Sequence, residues 1–136
     1  MCEETLKQSL LRADINQIKN KRKHLWLRIL KIDPNFIKGE FELFNQQQQL
    51  ELAKSVIESI EVDVNRSFNQ LKEIPHAVLN KILRTYAIVD PSLDYCQGMN
   101  FIAGFLYMTM DKDESLSFAI MREVIERQNM STLFNP

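Results

Sequence analysis

Residues 83–104 read L-R-T-Y-A-I-V-D-P-S-L-D-Y-C-Q-G-M-N-F-I-A-G, and this stretch decides the fold. Its first part completes an apolar stripe of Val78, Leu79, Ile82, Leu83, Tyr86 and Val89. That spacing predicts a helix, closed by Asp90-Pro91 because the residue before proline avoids the α region. Its second part opens a run from Tyr95 to Met110 that is apolar nearly all round. Such a run is expected on the central helix of a multi-helix core, with Phe101, Phe105, Tyr107 and Met108 as packing residues. Met99–Met110 also contains Asn100 and Thr109, and it is too short to span a bilayer.

The same periodicity extends outward. Ala53, Val56, Ile57, Ile60 and Val64 make a further helical stripe, and Phe68–Ile74 reads as a connector ending at Pro75. Asp111–Glu114 is a charged turn, followed by a last amphipathic helix carrying Leu116, Ile120, Met121, Val124 and Ile125. Toward the N-terminus, Leu25, Trp26, Ile29 and Leu30 form a stripe that stops before Asp33-Pro34. Asn35–Phe44, interrupted by Gly39, reads as an irregular connector. Gln46–Gln49 reads either as a variable loop or as the opening of the next helix, since glutamine is a fair helix former. Residues 1–18 read as a lead-in helix, with Leu6–Leu11, Ile15 and Ile18 on its apolar side. With 3 glycines, 4 prolines and almost no β-branched alternation, the chain is expected to be all-α. A multi-helix orthogonal bundle of about five to seven helices fits these stripes.

Composition narrows the functional classes. A chain of 136 residues is one domain or part of one, and 45% hydrophobic with 26% charged residues is ordinary for a globular fold. The net charge of −1, with both signs mixed along the chain, argues against nucleic-acid binding. Lys19, Lys21, Arg22, Lys23 and His24 run straight into an apolar helix and read as its solvated start. Cys2 and Cys96 form no disulfide framework, and the N-terminus has no secretory h-region, so a reducing cytosolic setting is expected. His24 and His76 lie at no metal-ligand spacing from each other or from the cysteines, so no metal is expected. There is no G-x-x-x-x-G-K-[ST] motif and no Ser–His–Asp or Cys–His arrangement.

Two segments carry chemistry. In Ile60-x-x-Asp63-x-x-Arg66, helical geometry puts Asp63 about 60° and Arg66 about 120° from the buried direction of Ile60. Asp63 then stands at the margin of the core, and Arg66 projects outward or into the loop that follows. The two can pair across one turn, and the plain alternative is a surface ion pair worth under about 1 kcal/mol. In Tyr95-Cys96-Gln97-Gly98, the glutamine offers an acceptor and a donor from the first turn of a buried helix. Gly98 permits a positive φ or close backbone approach. Gln97 can equally be a helix-start residue bonded to nearby backbone. Tyr95 and Asn100 are supporting groups, or buried polar residues with backbone partners. Arg22 with Trp26 reads as a guanidinium stacked on an indole, anchoring the first helix.

Arg22-x-x-x-Trp26, Ile60-x-x-Asp63-x-x-Arg66 and Tyr95-x-Gln97, in this order, resemble the TBC domain of Rab GTPase-activating proteins. The run from Leu83 to Gly104 is similar to the segment that carries that family's glutamine finger. The resemblance covers roughly Lys19 to Phe134. It implies Arg66 as an arginine finger and Gln97 as a glutamine finger that takes the place of the GTPase's own. Asp63 would hold the arginine loop, while Arg22 and Trp26 would be structural. The implied partner is a Rab-type small GTPase in its GTP-bound form, which itself holds the GTP and Mg²⁺, so this chain is expected to need no cofactor. The setting implied is cytoplasmic vesicle trafficking, with endomembranes reached only through the partner. Residues 19–136 would be the N-terminal portion of a domain that continues through a second helical part. The competing expectations are a non-catalytic TBC-like module that binds a GTPase or scaffold, and a helical bundle whose motif matches are accidental.

Overall fold

The computed structural model describes residues 15–69 and 71–127. They form six helices: α1 (Ile15–Ile29), α2 (Pro34–Glu51), α3 (Lys54–Asn65), α4 (His76–Val89), α5 (Met99–Thr109) and α6 (Glu114–Arg127). No strand occurs among the described residues, so the all-α expectation holds. None of these helices is long and apolar enough to cross a membrane. The lead-in helix expected over residues 1–18 falls largely outside the described residues; α1 begins at Ile15.

The Asp33-Pro34 pair both ends one helix and starts the next. Ile32 N–H reaches back to Leu27 O at 2.9 Å while Lys31 takes φ 56°, the left-handed closure that satisfies orphan carbonyls at a helix C-terminus. Asp33 Oδ1 then accepts the Asn35 N–H at 3.0 Å, an N-cap, with Pro34 at the first helical position. The connector expected over Asn35–Phe44 is therefore helix, and Gln46–Gln49 continue it. Gly39 weakens that pattern locally, but Ile37 and Phe41 bury on the same side, one turn apart, and their burial outweighs one glycine.

The stripe of α4 is the molecule's axis. Leu79, Ile82, Leu83 and Tyr86 are all 1% exposed or less, and α4 packs against α2, α3, α5 and α6. From α2, Phe41 reaches Phe118 of α6 with ring centroids 5.4 Å apart, and Arg122 pairs with Glu40 across the same contact.

The place expected for α5 needs correction. Met99, Ala103 and Leu106 enter the core, as does Tyr107, but Phe101, Phe105 and Met108 are 57%, 65% and 39% exposed. A helix apolar on all sides fits a central position, but periodicity cannot say on which side a neighbour is present. That central position belongs to α4.

Candidate functional site

Full burial of Ile60 and Val64 sets the rotation of α3, which leaves Asp63 half-buried at its edge. Arg66 is the C-cap: its N–H bonds the Asp63 and Val64 carbonyls, and its side chain is exposed. The chain then turns sharply through Phe68, at φ 52°. The Phe68 ring lies in a notch on α5 that only Gly104 leaves open, since a Cβ there would stand 2.3 Å from Phe68 Cε2. The same ring meets Phe101 edge-on at 5.8 Å. Packing against α5 thus holds the loop that follows the arginine.

The glutamine comes from a turn built by Asp90. Its Oδ1 accepts the Ser92 hydroxyl at 2.7 Å, and Asp94 N–H bonds the Asp90 carbonyl at 2.8 Å. Leu93 is buried beneath this turn. Gly98 then takes φ 105° as the N-cap of α5, a conformation that penalises any residue with a Cβ. Gln97 stands exposed between these fixed points.

Two hydrogen bonds join the arginine segment to the glutamine segment. Tyr95 Oη donates to Asp63 Oδ2 at 2.6 Å, and Asn100 Nδ2 donates to Ser67 Oγ at 2.5 Å. In sequence they bracket the two candidates: Asp63 and Ser67 flank Arg66, while Tyr95 and Asn100 flank Gln97. Burial, and the Asp63 carboxylate beside it, push the Tyr95 phenol far above its usual range, so it stays a donor at every physiological pH. A groove of about 530 Å³ runs along α3, lined by Ser55, Glu58, Ser59, Val62, Asp63, Tyr95 and Gln97. Arg66 follows Asp63 by three residues, beyond the residues that line this groove.

The Asp63–Arg66 ion pair, open as one reading of the spacing, is not found among the described residues. Asp63 spends its carboxylate on Tyr95, and neither Arg66 nor Gln97 has a side-chain hydrogen bond or ion pair among those residues. Arg22 is half-buried and donates Nε–H to Thr109 O at 3.3 Å, at the far end of α5. Among the described residues the cation–ring contacts are Lys81 on Phe41 and Arg122 on Phe118, so Arg22 anchors α1 through a carbonyl rather than through Trp26. Trp26 packs half-buried against the core. No group of three or more His, Cys, Asp or Glu among the described residues is placed to hold a metal.

Sequence reasoning did not find Ser67, His76 or the Phe68–Gly104 contact. The one available signal was Gly104 inside an apolar helix, where an isolated glycine often marks a close approach.

The model of the Rab-GTPase-TBC domain family matches residues 19–136. The chain belongs to this family. Growth hormone-regulated TBC protein 1-A of Danio rerio is 35% identical over 77 residues, covering 52% of this chain and 21% of that protein. Growth hormone-regulated TBC protein 6 of Caenorhabditis elegans is 31% identical over 111 residues, covering 79% of this chain and 31% of its own length. A C. elegans protein named Rab GTPase-activating protein eat-17 is 28% identical over 82 residues, 57% of this chain and 9% of that one. In fold, the chain is similar to the crystal structure of the Chlamydomonas flagellar RabGAP TBC domain. That likeness has a TM-score of 0.74 at 17% identity and covers 92% of this chain and 43% of the other. The TBC domain chain thus spans less than a third of each of these three relatives and under half of the solved structure.

Proposed function

We propose that this TBC domain chain accelerates GTP hydrolysis on a Rab-type GTPase by supplying Arg66 and Gln97 in trans. The observation that carries this reading is the pair of hydrogen bonds, Tyr95–Asp63 and Asn100–Ser67, that bracket two exposed, uncommitted side chains on joined segments. Phosphoryl transfer needs little covalent chemistry from the protein; positioning and electrostatics supply most of the rate. The Arg66 guanidinium would neutralise charge growing on the transferred phosphoryl group. The Gln97 carboxamide would accept from the attacking water and donate to an oxygen beside it. GTP and Mg²⁺ would belong to the GTP-bound partner, with no cofactor held by this chain. The same reading has the chain act in the cytoplasm, in vesicle traffic, and meet endomembranes only through that partner.

The test is single-turnover hydrolysis by a panel of GTP-loaded Rab-type GTPases, with and without this chain. Wild type should accelerate at least one of them. Arg66→Ala should remove roughly 10³–10⁵ of that acceleration. Arg66→Lys should fail nearly as badly, because an ammonium lacks the planar fork. Equal turnover with wild type and Arg66→Ala would falsify the assignment. The second reading is a TBC-like module that binds a GTPase or scaffold without accelerating turnover. The exposed face of Phe101, Phe105 and Met108 favours it, since finger chemistry does not require that apolar area. Binding without acceleration by any GTPase of the panel would select it.

A further inference from the structure

Ser67 is 1% exposed, yet every polar atom it owns is engaged. Its N–H donates to Val64 O at 3.0 Å, and its hydroxyl donates to Asp63 O at 2.5 Å. Its Oγ accepts from Asn100 Nδ2 at 2.5 Å, and its carbonyl accepts from His76 Nε2 at 3.0 Å. A carbonyl cannot donate, so His76 carries its proton on Nε2. These bonds reach the last turn of α3, the first residue of α4 and the first turn of α5.

The relay continues through Asn100, which is 3% exposed: its Oδ1 accepts the Gly98 N–H at 3.1 Å. A buried path therefore runs from Gly98 through Asn100 and the Ser67 hydroxyl to the Asp63 carbonyl. In sequence, Ser67 of this path adjoins Arg66, and Gly98 at its other end adjoins Gln97. Any residue but proline would supply the backbone bonds of Ser67, but only a hydroxyl can donate to α3 and accept from α5 at once.

We propose that Ser67 is a positioning residue whose hydroxyl couples the Arg66 loop to the Gln97 turn, so that the two side chains keep a fixed relation. The proposal rests on the reading above of Arg66 and Gln97 and deepens it. A serine at the end of a helix often does no more than bond the carbonyl four residues back. In that case its loss would loosen α3 alone. Here its loss also leaves the Asn100 amide buried without an acceptor, and half-satisfied buried networks release both of their ends.

Hydrogen exchange by mass spectrometry on this chain, over residues 63–69 and 95–102, separates the two roles. Ser67→Ala and Asn100→Ala should each raise exchange in both segments by roughly tenfold, and the double variant should add little to either single change. Ser67→Thr keeps a hydroxyl and should return exchange toward wild type. On a GTPase that the wild type accelerates, Ser67→Ala should lower kcat by about tenfold with KM for the GTPase unchanged. Faster exchange confined to residues 63–69, additive effects in the double variant, or an undiminished kcat would each overturn the coupling. Exchange needs no GTPase, so failure of wild type to accelerate any partner would strike the proposed function and leave the coupling to be judged by exchange alone.

Discussion

The two ends of α5 are held by opposite kinds of contact. At its N-terminal end, one hydrogen bond joins half-buried Tyr95 to half-buried Asp63 and another joins buried Asn100 to buried Ser67. At its C-terminal end, Lys23 pairs with Asp113 at 3.4 Å and Lys81 with Glu114 at 2.9 Å, all four side chains about a quarter to a third exposed. Arg22 adds a bond to the Thr109 carbonyl there. With 11 residues, α5 separates these ends by about 16 Å. Short, directional hydrogen bonds fix orientation, whereas ion pairs that water still reaches tolerate adjustment and contribute little. Directional contacts are thus concentrated where the candidate side chains emerge, while the other end needs only to hold.

The sharpest break between the ends is a swap of phenotypes. Arg66→Lys should cost roughly 10³ or more in activated GTP turnover while leaving the thermal midpoint unchanged. Arg22→Ala should do the reverse, lowering the midpoint and sparing turnover at temperatures where the chain stays folded.

Next in size is Tyr95→Phe, which removes one hydrogen bond to a carboxylate, worth about 1.5–3 kcal/mol in denaturant unfolding. Its pH dependence follows from the raised phenol. A tyrosine whose folded pKa lies above its unfolded value stabilises fully below the unfolded value, near 10, and loses that contribution as pH climbs beyond it. The wild type minus Tyr95→Phe difference should therefore stay flat in the phenol's contribution from about pH 7 to 9 and shrink only in stronger alkali. A difference that already falls between pH 7 and 9 would show that Tyr95 is not held as the structure has it.

A smaller effect gives a reference that touches neither end. Gly39 lies in α2, and apart from its chain neighbours and its own helix backbone nothing stands within 4 Å of where a Cβ would be. Gly39→Ala should raise stability by about 0.5–1 kcal/mol, without altering turnover or exchange at residues 63–69 and 95–102. The smallest effect concerns salt. Taking ionic strength from about 0.01 M to about 1 M should weaken the Lys23–Asp113 and Lys81–Glu114 contacts by tenths of a kcal/mol, read from double-mutant cycles. The Asn100–Ser67 coupling should not respond to salt.

Much of the fold was legible in the chain. The stripes of α3, α4 and α6 contain most of the apolar side chains those helices bury, Ala87, Phe118 and Ala119 being outside them, and both candidate side chains sit in quotable motifs. Phe118 escaped because it flanks the stripe expected for α6, and the ring of Phe41 from α2 packs against it there. The N-terminal half of α2 was hidden because Asp33-Pro34 signals a stop as readily as a start, and Gly39 argued for a break. Ser67 and His76 were not visible as site residues, since the bonds that matter are made to Asn100, 33 positions away, and between loop backbone and a ring nine positions on.

Helical periodicity, the turn signals at Asp33-Pro34, Asp90-Pro91 and Gly98, and the identities of Arg66 and Gln97 belong to the sequence alone, because each depends on local backbone preference or on a side chain's own chemistry. The tertiary structure decided that α4 rather than α5 is surrounded, that Asp63 serves Tyr95 rather than Arg66, and that Ser67 joins the two segments. Those outcomes depend on which groups meet across space, and desolvation makes a buried polar group take whatever partner the packing brings within reach.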